Sequence, residues 1–150
     1  MDTHSPQIRS YNMSRIRSIN TKPEETVRKY LFSCGFRYRK NVKKLPGCPD
    51  IVLPKYKTVV FVNGCFWHMH TGCSRFVWPE TNAEYWHKKI TGNVERDREN
   101  YIHLEALGWK VIVIWECELK KNAVSDRLDA LTLEIVSKTY AWQHRIGVRL

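Results

Sequence analysis

The segment DIVLPKYKTVVFV, residues 50–62, decides the fold of this chain. Two runs within it, 50–53 and 58–62, are rich in β-branched residues and predict two short strands. Residues 54–57, Pro-Lys-Tyr-Lys, predict a turn between these runs. Because so short a connection suits antiparallel neighbours, the two strands are expected to belong to a meander.

The sequence before this segment predicts a helix and a further strand. Thr21 can cap a helix that has Pro23 in its first turn and Glu24 three residues after the cap. Apolar residues then recur at helical spacing until Gly35 ends the run. Residues 36–42 follow as a strand, so a helix is expected to precede an antiparallel meander.

The sequence after this segment predicts a long helix, a strand and a last helix. Residues 83–107 are expected to be helical, with a bend near Gly92. Residues 109–115 form a nearly continuous apolar run, which is typical of a buried strand reached by a helical crossover. Residues 124–136 predict an amphipathic helix. The fold class is therefore α/β, a central mixed β-sheet flanked by helices.

The length of 150 residues suits a single domain. Residues 1–20 are polar and basic, and they are interpreted either as an arm that orders on a partner or as a disordered tail. Residues 21–150 then form the domain, although 137–150 carry no clear pattern. No stretch is apolar for long enough to span a bilayer, and the first ten residues lack the apolar region of a signal peptide.

The composition favours a nucleic-acid partner. The chain has 25 Lys and Arg against 15 Asp and Glu, and its six tryptophans can stack on bases. A membrane surface fits less well, because no long Lys-rich amphipathic helix is present. Five cysteines without a secretion signal indicate metal binding or buried thiols rather than a disulfide framework.

Three residues directly after the strand at 58–62 have the spacing of metal ligands. Cys65, His70 and Cys73 can converge on one tetrahedral ion, and thiolate ligands favour zinc over magnesium. A closed structural site needs a fourth ligand. Cys117 is the best candidate, because a strand at 109–115 beside the strand at 58–62 would bring it close. The alternative is that Cys117 is simply buried.

His68 is left over from this set and lies in a loop that metal ligands hold on both sides, which preorganises its ring. Asp50 begins one strand, and the next strand ends at Val62 beside the same loop, so Asp50 and His68 are expected to face one cleft. A carboxylate and a backbone carbonyl can hold magnesium while a histidine activates water, which indicates a phosphodiesterase. A solvent-facing His68 and a capping or turn role for Asp50 are the alternatives.

Six segments together carry a resemblance to a known family: NMSRIRSINTKPE, LPGCPDIVL, VVFVNGCFWHMH, YWHKKI, NVERDR and LGWKVIVIWECEL. In their order the chain resembles the very short patch repair (Vsr) endonucleases of the PD-(D/E)xK fold group. The resemblance implies a restriction-endonuclease-like fold and an enzyme that nicks DNA beside the thymine of T:G mismatches, which arise when 5-methylcytosine deaminates. It also implies a functional link to a cytosine-5 DNA methyltransferase and to a repair polymerase and ligase. A cytoplasmic, prokaryotic location and a monomeric state complete this expectation.

The resemblance implies a role for each residue of the site. Asp50 would bind catalytic Mg²⁺ with the Val62 carbonyl, His68 would be the general base, and Glu24 would lie near them, besides its predicted capping role. Asn63 stands where a histidine is common, so it can donate a hydrogen bond to the scissile phosphate but no proton. The ligands of a structural Zn²⁺ would be Cys65, His70, Cys73 and Cys117.

The resemblance also implies DNA contacts. Trp86, Lys89 and Asn93 recur on one helix face, which suits base-edge reading or, alternatively, a solvated surface. The NVERDR charges are interpreted as a solvated face, with Asp97 as a weak active-site candidate. The residues that would enter the DNA stack are Phe66, Trp67 and Trp86 from one side and Met13 from the minor groove, whereas packing around the zinc loop is the alternative for Phe66 and Trp67.

The chain departs from the family pattern at Cys48, where arginine is common, and at Asn63, and it has one residue more than some members between His70 and Cys73. Two other functions stay open. One is a restriction or homing-type nuclease that cuts matched DNA, and the other is a zinc-stabilised mismatch-binding module without catalysis.

Overall fold

Four strands form one mixed sheet in the computed structural model, which describes Gln7 and residues 20–137. The order across the sheet is β1-β2-β3-β4. The first three strands are antiparallel neighbours, and β4 pairs parallel with β3. The predicted meander is therefore confirmed, and so is the predicted position of β4 beside β3 after a helical crossover. The bounds are Arg39–Lys40 for β1, Ile51–Leu53 for β2, Thr58–Asn63 for β3 and Lys110–Trp115 for β4.

Three helices in residues 20–137 cover both faces of this sheet. They are α1 at Lys22–Ser33, α2 at Ala83–Ala106 and α3 at Val124–Val136. Buried residues of α1 and α3 share one core with one face of the sheet, whereas Leu104 of α2 packs on the other face. The protein is thus a single-domain α/β structure with the predicted mixed sheet. Its first core consists of Val27, Leu31, Ile51, Leu53, Val60, Val62, Ile112, Ile114, Leu128, Leu131 and Ile135.

The two faces explain why β3 is buried along its whole length. Val60 and Val62 point toward α1 and α3, whereas Val59 and Phe61 point toward α2. Side chains alternate between the faces of a strand, so a strand covered on both sides must be apolar at successive positions. Residues 59–62 satisfy this requirement, and the buried Thr58 hydroxyl donates to the Tyr56 carbonyl at 3.0 Å.

The start of α1 differs in part from the predicted capping box. The Thr21 hydroxyl accepts a hydrogen bond from the Glu24 backbone N–H at 3.4 Å, as expected. The Glu24 carboxylate, however, accepts from the backbone N–H of Asn20 at 2.8 Å, one residue before the cap. It also accepts from Arg28 at 2.8 Å, and Glu24 is only 3% exposed. Glu24 is therefore part of a buried ion pair.

The predicted strand at 36–42 is shorter than expected, since β1 holds only Arg39–Lys40. Asn41 has a positive φ of 47°, which ends the extended backbone. The helix predicted at 83–107 ends at Ala106 and is continuous through Gly92. None of the helices described in residues 20–137 is long and apolar enough to cross a membrane. Residues 1–6, 8–19 and 138–150, and with them most of the predicted arm, lie outside the described residues.

Two leucines on α3 provide a matched test of the core. Leu131 is fully buried, whereas Leu133 is 69% exposed. We expect Leu131→Ala to lower the free energy of unfolding by about 2–5 kcal/mol, because it removes apolar contacts and leaves a cavity. Leu133→Ala is expected to change it by less than about 0.5 kcal/mol. Urea denaturation followed by circular dichroism measures both values, and equal losses would contradict this packing of α3.

Candidate active site and metal centre

Asp50 lies immediately before β2, at the end of the sheet where β3 finishes. Its carboxylate accepts a hydrogen bond from the backbone N–H of Val62 at 2.7 Å. The antiparallel pairing of β2 and β3 produces this contact, because residues before Ile51 come opposite residues after Val60. The two residues predicted to bind magnesium are thus adjacent, on neighbouring strands.

A second carboxylate lies beside Asp50. Burial raises the pKa of Asp50 to about 7, the Val62 N–H opposes this shift, and the nearby Glu24 carboxylate adds to it. The guanidinium of Arg28 partly offsets the negative charge. Two adjacent carboxylates, offset only in part by one guanidinium, form a negative pocket that suits a divalent cation. The structure therefore brings together Asp50, Val62 and Glu24, as predicted.

His68 has a carboxylate partner from the long helix. Its Nδ1 lies 2.5 Å from an Oδ2 of Asp97, and both side chains are half-buried. The prediction from the sequence was different: Asp50 was expected to be the acidic partner of His68, and Asp97 was only a weak active-site candidate. A carboxylate on Nδ1 fixes the orientation of a histidine ring and leaves Nε2 to exchange a proton.

Asn63, at the end of β3, is 4% exposed and donates a hydrogen bond from Nδ2 to the Tyr101 hydroxyl at 2.9 Å. The Tyr101 ring packs on Phe61 with centroids 4.9 Å apart. Burial and the negative charges of Asp97 and Asp50 raise the pKa of Tyr101, so this hydroxyl stays protonated at neutral pH. Tyr101 thus links the end of β3 to the helix that carries Asp97. Tyr101 was not among the residues predicted from the sequence, although its position one helical turn after Asp97 places it on the same helix face.

The four predicted zinc ligands converge on one point. The ligand atoms of Cys65, His70, Cys73 and Cys117 all lie within 4.8 Å of one another. The Cys117 Sγ is 3.4 Å from His70 Nδ1, and a tetrahedral zinc with ordinary bond lengths would separate such atoms by about 3.6 Å. The donor set and its spacing therefore fit a metal ion with thiolate and imidazole ligands.

Neighbouring groups hold these ligands in place. The His70 ring stacks on Trp115 with centroids 4.2 Å apart and an interplanar angle of 5°. Burial raises the pKa of Cys65 to about 12 and also raises that of Cys117, whereas a backbone hydrogen bond from Arg75 lowers that of Cys73. Three adjacent thiols resist joint ionisation unless a cation is present, because their negative charges repel one another.

An aromatic cluster lies beside the metal loop. The Phe66 ring meets Trp67 at 5.3 Å and Trp86 at 5.4 Å between centroids, and the two tryptophans lie 5.8 Å apart. All three side chains are half-buried, so they pack on one another and keep an exposed edge. The Asn93 amide donates to the backbone carbonyl of Trp67 at 3.0 Å, and Lys89 is exposed. Met13 lies outside the described residues.

Comparison with known proteins gives a consistent family. Residues 1–75 match the sequence model of the DNA mismatch endonuclease Vsr. The type II nicking enzyme V.NmeAIP of Neisseria meningitidis serogroup A is 53% identical over 135 residues, 89% of this chain and 96% of the relative. The type II nicking enzyme V.XorIIP of Xanthomonas oryzae is 48% identical over 79% of this chain and 86% of the relative. The DNA mismatch endonuclease Vsr of Escherichia coli is 40% identical over 85% of each chain.

The chain belongs to the Vsr DNA mismatch endonuclease family. Membership in the Vsr family supports nuclease activity and implies a DNA substrate. Cys48 and Asn63 are the two site positions where the sequence was expected to differ from the family pattern, and the structure shows the surroundings of both. Cys48 adopts a positive φ of 49° between Gly47 and Pro49, directly before Asp50. Asn63 is committed to Tyr101, which turns its amide donor inward.

The buried Asn63–Tyr101 hydrogen bond can be tested against an exposed tyrosine on the same helix. We expect Tyr101→Phe to lower the free energy of unfolding by about 1–3 kcal/mol, because the Asn63 amide is left buried without its acceptor. Tyr85 is 57% exposed, and Tyr85→Phe is expected to leave stability unchanged. Thermal and urea unfolding measure the difference. A Tyr101→Phe protein as stable as the parent would argue against this hydrogen bond.

Proposed function

We propose that this Vsr-family protein is a strand-specific endonuclease that nicks DNA beside the thymine of T:G mismatches, using magnesium for catalysis and zinc for structure. The observation that carries the proposal is that two pairs of groups, Asp50 with the Val62 N–H and His68 with Asp97, lie near the end of β3. The charges of both Asp50 and Asp97 act on the Tyr101 hydroxyl there. Thymine in such mismatches would come from deamination of 5-methylcytosine.

The acidic side of the site would bind the cation. Asp50 and the Val62 carbonyl are its proposed ligands, with Glu24 close enough to bind one of the waters around it. Magnesium, when bound, would polarise the scissile phosphate and stabilise the leaving oxygen. Arg28 holds Glu24 through a 2.8 Å ion pair, so the carboxylate is fixed before any cation arrives. This arrangement preorganises the negative pocket.

The basic side of the site would activate water. Asp97 accepts from Nδ1 of His68, which leaves Nε2 to take a proton from the attacking water. Asp97 orients the ring and favours the imidazolium that forms. The Asn63 amide cannot deliver a proton to the leaving group. Its proposed role is to hold the end of β3 against α2 through its hydrogen bond to Tyr101.

The aromatic cluster would select the mismatch. Phe66, Trp67 and Trp86 are proposed to enter the DNA stack, since a mispaired step costs less to unstack than a paired one. Lys89 and Asn93 would read base edges, and Asn93 must then exchange its hydrogen bond with the Trp67 carbonyl for one with a base. Met13 would wedge from the minor groove.

Zinc would stabilise the loop that carries His68. Bound by Cys65, His70, Cys73 and Cys117, it would tie residues 65–73 to the end of β4. We further propose that the protein acts as a monomer, because one nick at an asymmetric mismatch needs one site. Its proposed partner is double-stranded DNA with a T:G mismatch, with a functional link to a cytosine-5 DNA methyltransferase and to the polymerase and ligase that complete repair. A cytoplasmic, prokaryotic location on the nucleoid would follow.

Nicking of a labelled duplex tests the catalytic residues. With magnesium, the parent is expected to nick a T:G duplex and leave the matched T:A duplex largely intact. Asp50→Ala and His68→Ala should each lower the nicking rate by about 10²–10⁴-fold, because each removes a group that acts on the reacting atoms. His103→Ala is the control, since His103 is exposed on α2 away from the site.

Each other outcome identifies a different function. Nicking that persists unchanged in Asp50→Ala or His68→Ala would refute the assigned roles. Equal cleavage of the matched duplex would favour a restriction or homing-type nuclease. Tight binding of the T:G duplex without turnover in magnesium would favour a mismatch-binding module.

Metal content tests the proposed zinc site. We expect one zinc per chain by elemental analysis, and loss of that zinc from Cys117→Ser. The melting temperature of Cys117→Ser should fall by roughly 5–10 °C, since metal binding contributes to folding. Cys34→Ser is the matched control, because Cys34 is exposed and outside the cluster. Full zinc content in Cys117→Ser would remove Cys117 from the ligand set.

A further inference from the structure

The loop at residues 42–48 leads into Asp50, and it exposes two consecutive lysines to solvent. Val42 and Leu45 pack against the core beneath α2, whereas Lys43 and Lys44 between them are exposed. The Leu45 N–H donates to the Val42 carbonyl at 3.3 Å, which closes a turn around the lysines. We call this segment the lysine turn.

The lysine turn is fixed to the strand of Asp50. The Asn41 N–H donates to the Asp50 carbonyl at 3.2 Å, and the Val42 N–H donates to the Pro49 carbonyl at 3.3 Å. Gly47 has a φ of +76°, and an added Cβ would lie 3.1 Å from the Asn100 side chain on α2. Backbone hydrogen bonds on one side and close packing on the other therefore fix the position of this loop between Asp50 and α2.

Two non-glycine residues at the base of the turn carry a left-handed backbone. Asn41 has a φ of 47° and Cys48 has a φ of 49°. Asparagine adopts this conformation readily, but a cysteine there is uncommon, and such backbone strain persists only where surrounding structure imposes it. The Cys48 N–H donates to the Leu45 carbonyl at 3.0 Å, so the left-handed backbone at Cys48 is part of this hydrogen-bonded loop.

The charges of the turn have no acidic partner in the described part of the chain. Among residues 20–137, no carboxylate lies within ion-pair distance of Lys43 or Lys44, whereas several arginines are paired with glutamates. Lys43 is nonetheless close to the site. Its positive charge lowers the pKa of the Cys48 thiol, whereas the nearby Asp50 carboxylate raises it. A solvated surface would also leave lysines unpaired, but these two lysines follow directly on backbone hydrogen bonds to Pro49 and Asp50, which place them beside the site.

The site itself supplies the reason for cations at this place. Before a cation binds, the Glu24 and Asp50 carboxylates place negative charge, which Arg28 only partly offsets, where the phosphates of a DNA strand must approach. Lysine is a mobile point charge that suits phosphate oxygens without reading bases. We propose that the lysine turn is a phosphate-contact surface, on which Lys43 and Lys44 hold the DNA backbone next to the strand end that carries Asp50.

This inference rests on the proposed function for the position of the DNA but not for its own test. Phosphate contacts strengthen binding without regard to sequence and make it depend on salt. We expect Lys43→Gln/Lys44→Gln to reduce the slope of log K against log salt by about 1.8, that is about 0.9 for each lost contact. The Kd for T:G and T:A duplexes should rise by the same factor, on the order of ten-fold.

The opposite turn provides a matched control. Lys55 and Lys57 lie between β2 and β3, at the other end of these strands from Asp50 and Val62. Lys55→Gln/Lys57→Gln removes the same charge and should leave the slope and both Kd values near those of the parent. Fluorescence anisotropy with both duplexes at four salt concentrations measures the slopes, and melting curves verify that each variant is folded.

Three results would overturn the proposal. They are a slope unchanged in Lys43→Gln/Lys44→Gln, an equal reduction in the control variant, and a loss of T:G binding alone. Nicking at saturating DNA should match the parent, and a lower rate there would also count against simple phosphate contact. If the parent nicks T:G and T:A duplexes alike, the proposed mismatch function fails, whereas the salt slopes still decide the role of the lysine turn.

Discussion

The parallel pairing of β3 with β4 is the constraint on which the rest of the structure depends. Its register joins Asn63 to Trp115, so the carboxyl ends of both strands finish level with each other. Cys65 and Cys117 are each two residues beyond this pair, and so the same edge of the sheet receives ligands from both strands. Parallel strands need a long crossover, and α2 supplies it while it covers one face.

The antiparallel side of the sheet brings the acidic groups to that edge. The tight connection between β2 and β3 sends Asp50 back to the place where Val62 ends its strand. Helix α1 packs on one face and contributes Glu24, whereas α2 packs on the other and contributes Asp97. The site therefore forms where both helical layers meet one end of the sheet.

The charge of the whole chain is opposite in sign to the charge of the side chains at its candidate site. The chain as a whole has a formal net charge of +10, which favours a polyanion, yet its site concentrates carboxylates. Burial, and to a smaller extent the neighbouring Glu24 carboxylate, raise the pKa of Asp50, so its charged form gains from a nearby cation. An excess of basic residues in the chain suits a DNA substrate, and the carboxylates at the site suit the cation proposed to bind there.

Local patterns predicted much of the fold. The apolar run after Gly108 identified β4, and the helical spacing at 124–136 gave both ends of α3. The ligand spacing at 65–73, combined with the expected neighbour of β3, placed Cys117 correctly in the cluster. These predictions succeed because strand burial, helix periodicity and ligand spacing are properties of consecutive residues.

Sequence alone determined the α/β class, the strand order through β3 and β4, and the four residues that converge as potential metal ligands. Only the tertiary structure decided three side-chain contacts of the site. His68 pairs with Asp97, the Asn63 amide donates a hydrogen bond to Tyr101, and Arg28 forms an ion pair with Glu24. The early end of β1 at Asn41 was equally hidden. Each of these depends on how a helix is rotated and seated against the sheet or on one backbone dihedral, and neither quantity is written in a periodic pattern.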